Sequence, residues 1–297
     1  MSRSALVTGA GGFVGRWLVA ALREEGWRVY TLDRHRPADF RGDLAGMPLG
    51  GLPRVAAVFH LAGWARPAAS GQAAEETYRA NALGTARLAR HARAERFILA
   101  SSCQIYGFPS RRVDETAPPR PPNPYAASKL CGEALARAAR PDAIILRPFN
   151  HTGPGQSHEY LGPGLARQVA RAEAGQAPPV LHVQDLAPRR DFFDVRDMAR
   201  AYLRAAERAR PGETYNVTSE QTFSVEEIVE IFRGLSRIRL QVRGRRREAT
   251  LLSGDASRFR HATGWEPRIP FRKTLADLLD YERARLPGYP PSSPSRR

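Results

Sequence analysis

Hydrophobic residues along the chain alternate between short continuous runs and longer runs with a helical period. The continuous runs, which are typical of strands buried on both faces of a parallel sheet, cover 4–7, 28–32, 55–62, 96–101 and 143–147. The runs with a helical period lie at 17–22, near 73–93 and at 124–139. This alternation predicts an α/β fold with a doubly wound parallel sheet over residues 1–150.

The composition changes after Pro148, where glycine and proline become frequent and short strands separate the helical patterns. This change predicts a smaller C-terminal α/β domain over residues 151–286, and we expect a segment near 190–217 to return to the first domain. The last stretch, 287–297, is rich in proline, serine and arginine, so we predict that it is disordered.

A glycine-rich turn joins the first predicted strand to the first predicted helix. Gly9, Gly12 and Gly15 recur at every third residue within it. Glycines at these points permit a tight turn, close approach of the backbone to a pyrophosphate, and close packing of the helix on the strand. Phe13 and Val14 lie where the helix begins, and N–H groups at a helix N-terminus bind anions. The unit predicts a dinucleotide-binding (Rossmann) domain.

The second predicted strand ends at Asp33, a position that faces the adenosine ribose in dinucleotide-binding units. A carboxylate there accepts hydrogen bonds from the ribose hydroxyls and repels a 2'-phosphate, so Asp33 favours NAD over NADP. Arg34 and Arg36 leave NADP open, because a guanidinium beside the ribose attracts that phosphate. The cofactor is therefore predicted to be NAD(P), with NAD favoured.

Tyr125 and Lys129 are the clearest candidates for chemistry. Only two of the 46 basic residues are lysines, Lys129 and Lys273, so a lysine four residues after a tyrosine is unusual in this chain. A helix that begins near Pro124 places both side chains on one face. An ammonium beside a phenol favours the phenolate and is expected to lower the phenol pKa from about 10, which suits acid/base catalysis.

The length, charge and cysteine content of the chain limit the kinds of protein it can be. The 297 residues can bury a large core, and no apolar run approaches the roughly 20 residues of a membrane span. The chain enters its first strand without a leader and has only two cysteines, so we expect a cytoplasmic protein without a membrane partner. The net charge of +16 comes from arginines scattered along the chain and not from one basic tract, so no nucleic-acid partner is predicted. No metal site is predicted either.

Further motifs follow the glycine turn in a characteristic order. They are Asp43-Leu44, His60-Leu61-Ala62-Gly63, Asn81, the segment from Ser101 to Gly107, and Tyr125 with Lys129. Over nearly its whole length the chain resembles the extended short-chain dehydrogenase/reductases of the NAD-dependent epimerase/dehydratase family. Within that family, the segments 147–156, 189–197 and 263–267 most resemble the GDP-4-dehydro-6-deoxy-D-mannose reductases.

The resemblance implies a role for each matching residue. Ser102 would complete a Ser-Tyr-Lys triad and bond the reacting sugar oxygen, Tyr125 would transfer the proton, and Lys129 would also bind the nicotinamide ribose. Asn81 is expected to brace its helix. The positions that hold the adenine or line the rest of the cofactor are Asp43, Leu44, Leu61, Ala62 and Gly63.

The resemblance also implies a nucleotide-diphosphate sugar as the substrate. Asn150, Arg190 and Arg245 match the family's contacts with the diphosphate, for which a bidentate guanidinium is well suited. Relatives usually carry proline and aspartate around the arginine that corresponds to Arg245, and this chain departs from that pattern. We further expect a homodimer.

The reaction is narrowed by Cys103 and Gln104, which directly follow Ser102. The 4,6-dehydratases of the family carry an acidic pair there to expel water, so dehydration is not expected. We predict NAD(P)H-dependent reduction of the 4-keto group of a nucleotide-linked 4-keto-6-deoxy sugar, with GDP-4-dehydro-6-deoxy-D-mannose and GDP-D-rhamnose as substrate and product. The alternatives are a UDP-glucose type 4-epimerase and, from another class, a non-catalytic NAD(P)-binding sensor or nucleic-acid binder.

Overall fold

Thirteen strands run through the computed structural model, which describes residues 3–289. In chain order they are β1 (Ser4–Thr8), β2 (Arg28–Asp33), β3 (Phe40–Arg41), β4 (Val55–His60), β5 (Ala94–Ala100), β6 (Ile144–Pro148), β7 (Asn150–Thr152), β8 (Val180–Asp185), β9 (Arg189–Asp194), β10 (Thr214–Val217), β11 (Thr222–Ser224), β12 (Gln241–Arg245) and β13 (Leu251–Leu252).

Nine α-helices alternate with the strands over the described residues. They are α1 (Phe13–Glu24), α2 (Ala74–Tyr78), α3 (Gly84–His91), α4 (Pro124–Ala139), α5 (Leu161–Glu173), α6 (Val195–Arg208), α7 (Val225–Leu235), α8 (Ser257–Thr263) and α9 (Phe271–Arg285). None of the helices within residues 3–289 is both long enough and apolar enough to cross a membrane.

Seven of the strands form one sheet in the order β10-β6-β5-β4-β1-β2-β3, and every pair in it is parallel. The chain runs outward from β1 to β2 and β3, then crosses to β4 on the other side of β1. The strand order therefore reverses between β1 and β4, and the crevice beyond their carboxyl ends is where doubly wound sheets bind ligands. The predicted fold class is confirmed, and the five predicted strands all lie in this sheet.

Helices cover both faces of the large sheet. α1 packs against α6 on one face, where Leu18 and Leu22 are fully buried, and α3 and α4 pack together on the other. α4 begins where Pro124 follows Asn123, whose side chain accepts a hydrogen bond from the Ala126 N–H at 2.9 Å. This cap fixes the start of the helix that carries Tyr125.

The helix predicted near residues 73–93 is interrupted. A π-helical turn over Arg79–Leu83 separates α2 from α3. The Asn81 side chain within this turn bonds to the backbone of Trp64 outside the helix. The hydrophobic period alone does not reveal such a tertiary contact, and π-helical turns are frequent at functional sites.

The second half of the chain builds a smaller layer and also rejoins the large sheet. β7, β9, β11 and β13 form one small sheet and β8 pairs with β12, while α5, α7 and α9 enclose a separate apolar core around Phe232 and Leu278. Between them, α6 packs on the large sheet and β10 pairs with β6. The functional division into a cofactor domain and a substrate domain stays a prediction.

Ordered contacts continue past the start of the segment predicted to be disordered. The Pro287 carbonyl accepts a hydrogen bond from the Gln176 side chain at 2.7 Å, and the Tyr289 hydroxyl donates to Glu173 at 2.6 Å. Residues 287–289 are therefore placed by contacts with α5 and with the turn that follows it. The rest of that prediction, residues 290–297, lies outside the described part of the chain.

Candidate active site

The glycine turn brings β1, β4 and α1 into close contact. Gly9 has φ +69°, and a Cβ there would lie 2.8 Å from the Ala62 backbone nitrogen, so only glycine fits. A Cβ on Gly15 would overlap the Gly9 carbonyl. Gly12 precedes α1, whose first residues, Phe13 and Val14, carry N–H groups with no acceptor earlier in the helix. This cradle fits the pyrophosphate of a dinucleotide, whose charge those N–H groups would bind.

Asp33 is held at the end of β2 by three backbone donors. Gly11 N–H donates to one carboxylate oxygen at 3.0 Å, and those of His35 and Arg36 donate to the other at 2.9 and 3.0 Å. Burial opposes the charge of Asp33, but these hydrogen bonds hold its pKa below the usual value. The carboxylate is therefore ionised, and Oδ2, which accepts only the Gly11 hydrogen bond among the described residues, has acceptor capacity for a ribose hydroxyl.

Arg36, and not Arg34, lies against the glycine turn. A Cβ added to Gly11 would overlap the Arg36 side chain, and the Arg36 charge helps to lower the pKa of Asp33. The Arg34 charge instead acts on the pKa of Asp43. The sequence put both arginines near the ribose, and their relative positions follow from the loop after β2.

Asp43 and Leu44 lie in the loop after β3. Burial opposes the charge of Asp43, but the Ala45 N–H and the Arg79 side chain donate to its carboxylate at 3.0 and 3.2 Å and hold its pKa low. Leu44 is buried, and its carbonyl accepts from Arg87 at 2.7 Å. The loop is thus fastened to the helices beside the crevice.

The segment after β4 is tied to β1 on one side and to α4 on the other. Leu61 N–H and Ala62 N–H each donate to Thr8 at 3.2 Å. A Cβ on Gly63 would overlap Asn81 Oδ1, so the Asn81 amide lies directly against this glycine.

The Asn81 amide joins the segment after β4 to α4. Its oxygen accepts from Trp64 N–H at 2.8 Å, and its nitrogen donates to Ser128 Oγ at 2.9 Å. The family resemblance gave Asn81 a role only within its own helix. The structure adds the contact with Ser128, and the pattern of residues gave no signal for it.

Ser102, Tyr125 and Lys129 converge at the carboxyl end of the large sheet. All three are less than one-tenth exposed. Ser102 follows β5 and caps a 3-10 turn over Cys103–Tyr106, with its Oγ accepting from Gln104 N–H at 3.2 Å. The Ser102 side chain lies close enough to the Tyr125 phenol to act on its pKa. The structure therefore brings the predicted triad together.

The expected effect of Lys129 on Tyr125 is wrong for this structure. Burial raises the pKa of Tyr125, and the nearby Ser102 hydroxyl only partly opposes this increase. The Lys129 ammonium donates instead to the Ala100 carbonyl at 2.9 Å. Burial also lowers the pKa of Lys129 to about 8, against the opposing effect of Glu133. Burial outweighs the charge attraction that helix spacing alone suggested.

Asn150 and Arg190 lie on neighbouring strands of the second sheet. β7 pairs with β9, and Asn150 Nδ2 donates to the Asp191 carbonyl at 3.0 Å. The Arg190 guanidinium donates to the Thr250 carbonyl and hydroxyl and lies 5.2 Å from the centre of the Phe108 ring. Within residues 3–289 it forms no ion pair with a carboxylate, so its charge remains available to an anion.

The surroundings of Cys103 show that Arg190 lies near the triad. Burial raises the pKa of the Cys103 thiol, helped by Asp191, while the Arg190 charge acts in the opposite direction. Arg190 therefore lies near the residue that directly follows Ser102. A buried thiol with a raised pKa stays protonated at neutral pH.

Arg245 occupies a different place. It ends β12, pairs with Asp185 of β8, and is exposed beside an open cavity that Arg247 also lines. The structure puts Asn150 and Arg190 on one sheet and Arg245 on another. Its contact with a diphosphate stays a prediction. Over the described residues, no group of three or more His, Cys, Asp or Glu side chains is placed to hold a metal ion.

Comparisons with known proteins agree with this geometry. The model of the NAD dependent epimerase/dehydratase family matches residues 5–218. GDP-6-deoxy-D-mannose reductase of Pseudomonas aeruginosa is 33% identical over 95% of this chain and 98% of its own length. UDP-glucose 4-epimerase of Streptomyces lividans is 29% identical over 97% of this chain and 99% of its own.

Two solved structures extend the comparison to three dimensions. RMD from Pseudomonas aeruginosa complexed with NADPH has a TM-score of 0.88 at 33% identity, covering 96% of this chain and all of that one (100%). MoeE5 in complex with UDP-glucose and NAD has a TM-score of 0.86 at 31% identity, covering 95% of this chain and 99% of that one. The chain belongs to the NAD-dependent epimerase/dehydratase family and is an NAD(P)-dependent enzyme that modifies nucleotide sugars.

Proposed function

We propose that the protein uses NAD(P)H to reduce the 4-keto group of a nucleotide-linked 4-keto-6-deoxy sugar. GDP-4-dehydro-6-deoxy-D-mannose is the first candidate substrate, and GDP-D-rhamnose would be its product. The observation that carries the proposal is the convergence of Ser102, Tyr125 and Lys129 beside the non-acidic pair Cys103 and Gln104. The similarity to the Pseudomonas aeruginosa reductase supports the same reaction.

The state of Tyr125 suits a reductase. The reduced nicotinamide supplies the hydride to C4 of the sugar. Because burial raises the pKa of Tyr125, the phenol carries a proton at neutral pH and can donate it to the oxygen on C4. The Ser102 side chain lies beside this phenol. In the proposed complex its single hydroxyl hydrogen would be donated to the sugar oxygen, orienting that oxygen for the proton transfer from Tyr125.

The diphosphate is assigned to Arg190 and Asn150. Arg190 has no carboxylate partner among the described residues and is held in place by Thr250. A positioned guanidinium of this kind binds a diphosphate with little loss of side-chain freedom. We also propose Arg245 as a contact with the diphosphate. Its exposed position beside β8 does not add support for this role.

Dehydration is disfavoured by the residues that follow Ser102. Loss of water from a hexose requires an acid and a base near C5 and C6. Burial raises the pKa of the Cys103 thiol, so no thiolate is present near neutral pH to act as the base, and Gln104 has no titratable group. The triad alone is sufficient for ketone reduction.

A UDP-glucose type 4-epimerase remains the second candidate. The same triad serves that reaction, and the Streptomyces lividans epimerase is similar over almost the whole chain. The two functions differ in net cofactor use, because an epimerase regenerates its cofactor in each cycle. The alternative of a non-catalytic sensor is disfavoured because it gives no role to the adjacent side chains of Ser102 and Tyr125.

For the cofactor we propose a preference for NADH over NADPH, based on the ionised Asp33. Arg36 favours NADPH instead, since its side chain lies against Gly11 and can move toward a 2'-phosphate. Among similar structures, RMD is complexed with NADPH and MoeE5 with NAD, so both cofactors occur on this fold.

We also propose a cytoplasmic homodimer with neither a nucleic-acid nor a membrane partner. Sedimentation of the purified chain tests the dimer. DNA and RNA binding should be weak, independent of sequence and steeply salt-dependent, because the arginines are scattered. Tight binding to one sequence at physiological salt would contradict an enzyme-only role.

The decisive experiment is a panel of GDP-, UDP- and dTDP-linked sugars assayed with NADH and with NADPH. We expect oxidation of the reduced cofactor in proportion to loss of a 4-keto-6-deoxy sugar, and no loss of water from GDP-mannose. Conversion of UDP-glucose to UDP-galactose without net cofactor consumption would replace the reductase with the epimerase. The absence of any turnover would favour the sensor.

A further inference from the structure

A buried ion pair lies behind the proposed triad. Glu133 follows Lys129 by one helical turn on α4, and Arg147 lies on β6. Arg147 Nε and Nη2 donate to the two oxygens of the Glu133 carboxylate at 3.0 and 2.7 Å, a bidentate arrangement. The Arg147 and Glu133 side chains are only 11% and 7% exposed, so water contributes little to their stabilisation.

The pair is attached to both ends of the segment that carries Ser102. Before it, the Ser101 hydroxyl donates to the Glu133 carboxylate. After it, Arg147 Nη1 donates to the Tyr106 hydroxyl at 2.8 Å, at the end of the 3-10 turn that Ser102 caps. The position of the Ser102 hydroxyl relative to the helix therefore depends on an ion pair that it does not touch.

Glu133 also supplies a negative charge close to Lys129. The buried ammonium bonds to a neutral group, the Ala100 carbonyl. From β6, the nearby charged group is Arg147, which has the same sign as Lys129. Glu133 is therefore the carboxylate that favours the charged form of Lys129.

The other titratable groups around Lys129 are neutral near pH 7. On β4, burial lowers the pKa of His60 to about 3. On α4 and in the turn after β5, burial raises the pKa values of Tyr125 and Cys103. The π-helical turn contributes Asn81, which does not titrate. None of these groups can replace the charge of Glu133.

We infer that Glu133 and Arg147 are positioning residues for the proposed reaction: their ion pair fixes Ser102 against Tyr125, and the Glu133 carboxylate keeps the buried Lys129 ammonium protonated. The inference rests on the proposed function for its effect on turnover, but its effect on Lys129 is independent of any sugar. The titration of Lys129 supports it, because burial lowers that pKa to about 8 and Glu133 opposes the decrease.

The lysine content of the chain permits a direct test. Lys129 and Lys273 are its two lysines, and Lys273 is an exposed partner of Asp277, so Lys273→Arg keeps that ion pair. In this variant, labelled with ¹³C at lysine Cε, the lysine NMR signal belongs to Lys129. We expect a midpoint near pH 8 without cofactor.

Glu133→Gln in the Lys273→Arg background should lower the Lys129 midpoint by about one pH unit or more, because an opposite charge at this range favours the ammonium. An unchanged midpoint overturns the electrostatic part of the inference. The matched control is Glu173→Gln, since Glu173 is equally buried in a bidentate pair with Arg283 but belongs to the second core. It should leave the Lys129 midpoint unchanged, and an equal shift there would also overturn the inference.

Ser101→Ala separates positioning from charge. It removes the hydroxyl that bonds to Glu133 and leaves both charges in place. We expect kcat to fall by about tenfold or more, since small displacements of reacting groups are costly, while the KM for the cofactor and the Lys129 midpoint stay unchanged. A wild-type kcat would overturn the positioning part.

Two further variants allow for poor folding of Glu133→Gln, which leaves Arg147 buried and unpaired. The double variant Glu133→Gln with Arg147→Gln removes both charges, and it should fold but show the same loss of kcat as Ser101→Ala or a greater one. Arg147→Lys keeps the charge without the fork and should restore only part of the rate. A folded double variant with wild-type kcat overturns the inference.

The outcomes distinguish this inference from the proposed function. A wild-type protein that reduces no 4-keto sugar refutes the function, and the lysine titration still decides the role of Glu133. If the protein is an active reductase, but Glu133→Gln leaves the Lys129 midpoint unchanged and Ser101→Ala leaves kcat unchanged, the inference alone is refuted.

Discussion

The Lys129 ammonium donates to the Ala100 carbonyl at 2.9 Å, whereas the Tyr125 phenol, one turn earlier on α4, lies beside the Ser102 side chain. Burial leaves this phenol protonated near neutral pH. Tyr125 therefore starts as a proton donor, which is the role that ketone reduction requires. An oxidation would need the phenolate at the start instead.

Tyr125→Phe should keep cofactor binding and lose most of the turnover. Only the proton donor is removed, and general acid catalysis is typically worth about 10²- to 10⁴-fold. Steady-state kinetics and cofactor titration by fluorescence measure the two effects. Tyr215→Phe, a buried tyrosine on β10 whose hydroxyl accepts from the Arg210 N–H, is the matched control. An unaffected rate in Tyr125→Phe would remove Tyr125 from the mechanism.

The rate should decline as the pH rises through about 8. Burial lowers the pKa of Lys129 to about 8, so the ammonium is present below that pH and is lost above it. The raised pKa of Tyr125 keeps the proton donor intact over the same range. The pH profile of kcat measures this, and a profile that is flat up to the ordinary lysine pKa of about 10.4 would contradict a role for the Lys129 charge.

Asp33→Ser should shift the cofactor preference toward NADPH. The substitution removes the negative charge that repels a 2'-phosphate. The ratio of kcat/KM for the two cofactors measures the shift, and an unchanged ratio places Asp33 outside the site. Arg36→Ala should lower NADPH use more than Arg34→Ala, because Arg36 lies against Gly11 and Arg34 lies toward Asp43.

Arg190→Ala should raise the KM for the nucleotide sugar and leave cofactor affinity nearly unchanged. The guanidinium has no carboxylate partner among the described residues, whereas the neighbouring Arg189 bonds to Thr222 and Glu227. Arg189→Ala is therefore the control and should leave the KM close to wild type. Arg190→Lys should rescue only in part, since the fork is lost. A KM unaffected by Arg190→Ala would place the diphosphate elsewhere.

Gly15→Ala should abolish cofactor binding or folding, since its Cβ would overlap the Gly9 carbonyl. Gly50→Ala is the control, because a Cβ there meets open space and its φ is not positive. Isothermal titration with NADH and circular dichroism separate loss of binding from loss of fold. A Gly15→Ala protein that binds cofactor normally would show that close packing of α1 on the turn is not required.

Local patterns predicted the parts of the molecule that depend on local physics. Buried parallel strands are continuous apolar runs, and a strand-to-helix turn around a phosphate needs glycine, so the sheet and the turn with Gly9 and Gly15 could be read directly. The i, i+4 spacing placed Tyr125 and Lys129 on one face.

The remaining features depend on contacts between distant segments. The end of β5 supplies the carbonyl that the Lys129 ammonium contacts. The loop after β4 bonds to Asn81, where the predicted helix is interrupted. How deeply the Tyr125 side chain is buried depends on all the segments that surround it in the fold. Neither spacing nor composition contains this information, so the expected decrease in the Tyr125 pKa became an increase.

The late return of the chain to the large sheet has a consequence for biosynthesis. β10 pairs with β6, and Arg137 on α4 bonds to Thr214 at its start. During translation, the edge of β6 that pairs with β10 therefore remains unpaired until some 70 further residues have left the ribosome. Its sequence there, Ile144-Ile145-Leu146, is apolar, and exposed edges of this kind recruit strands from other chains. A fragment ending at residue 150 should aggregate, and one ending after α6 and β10 should be more soluble.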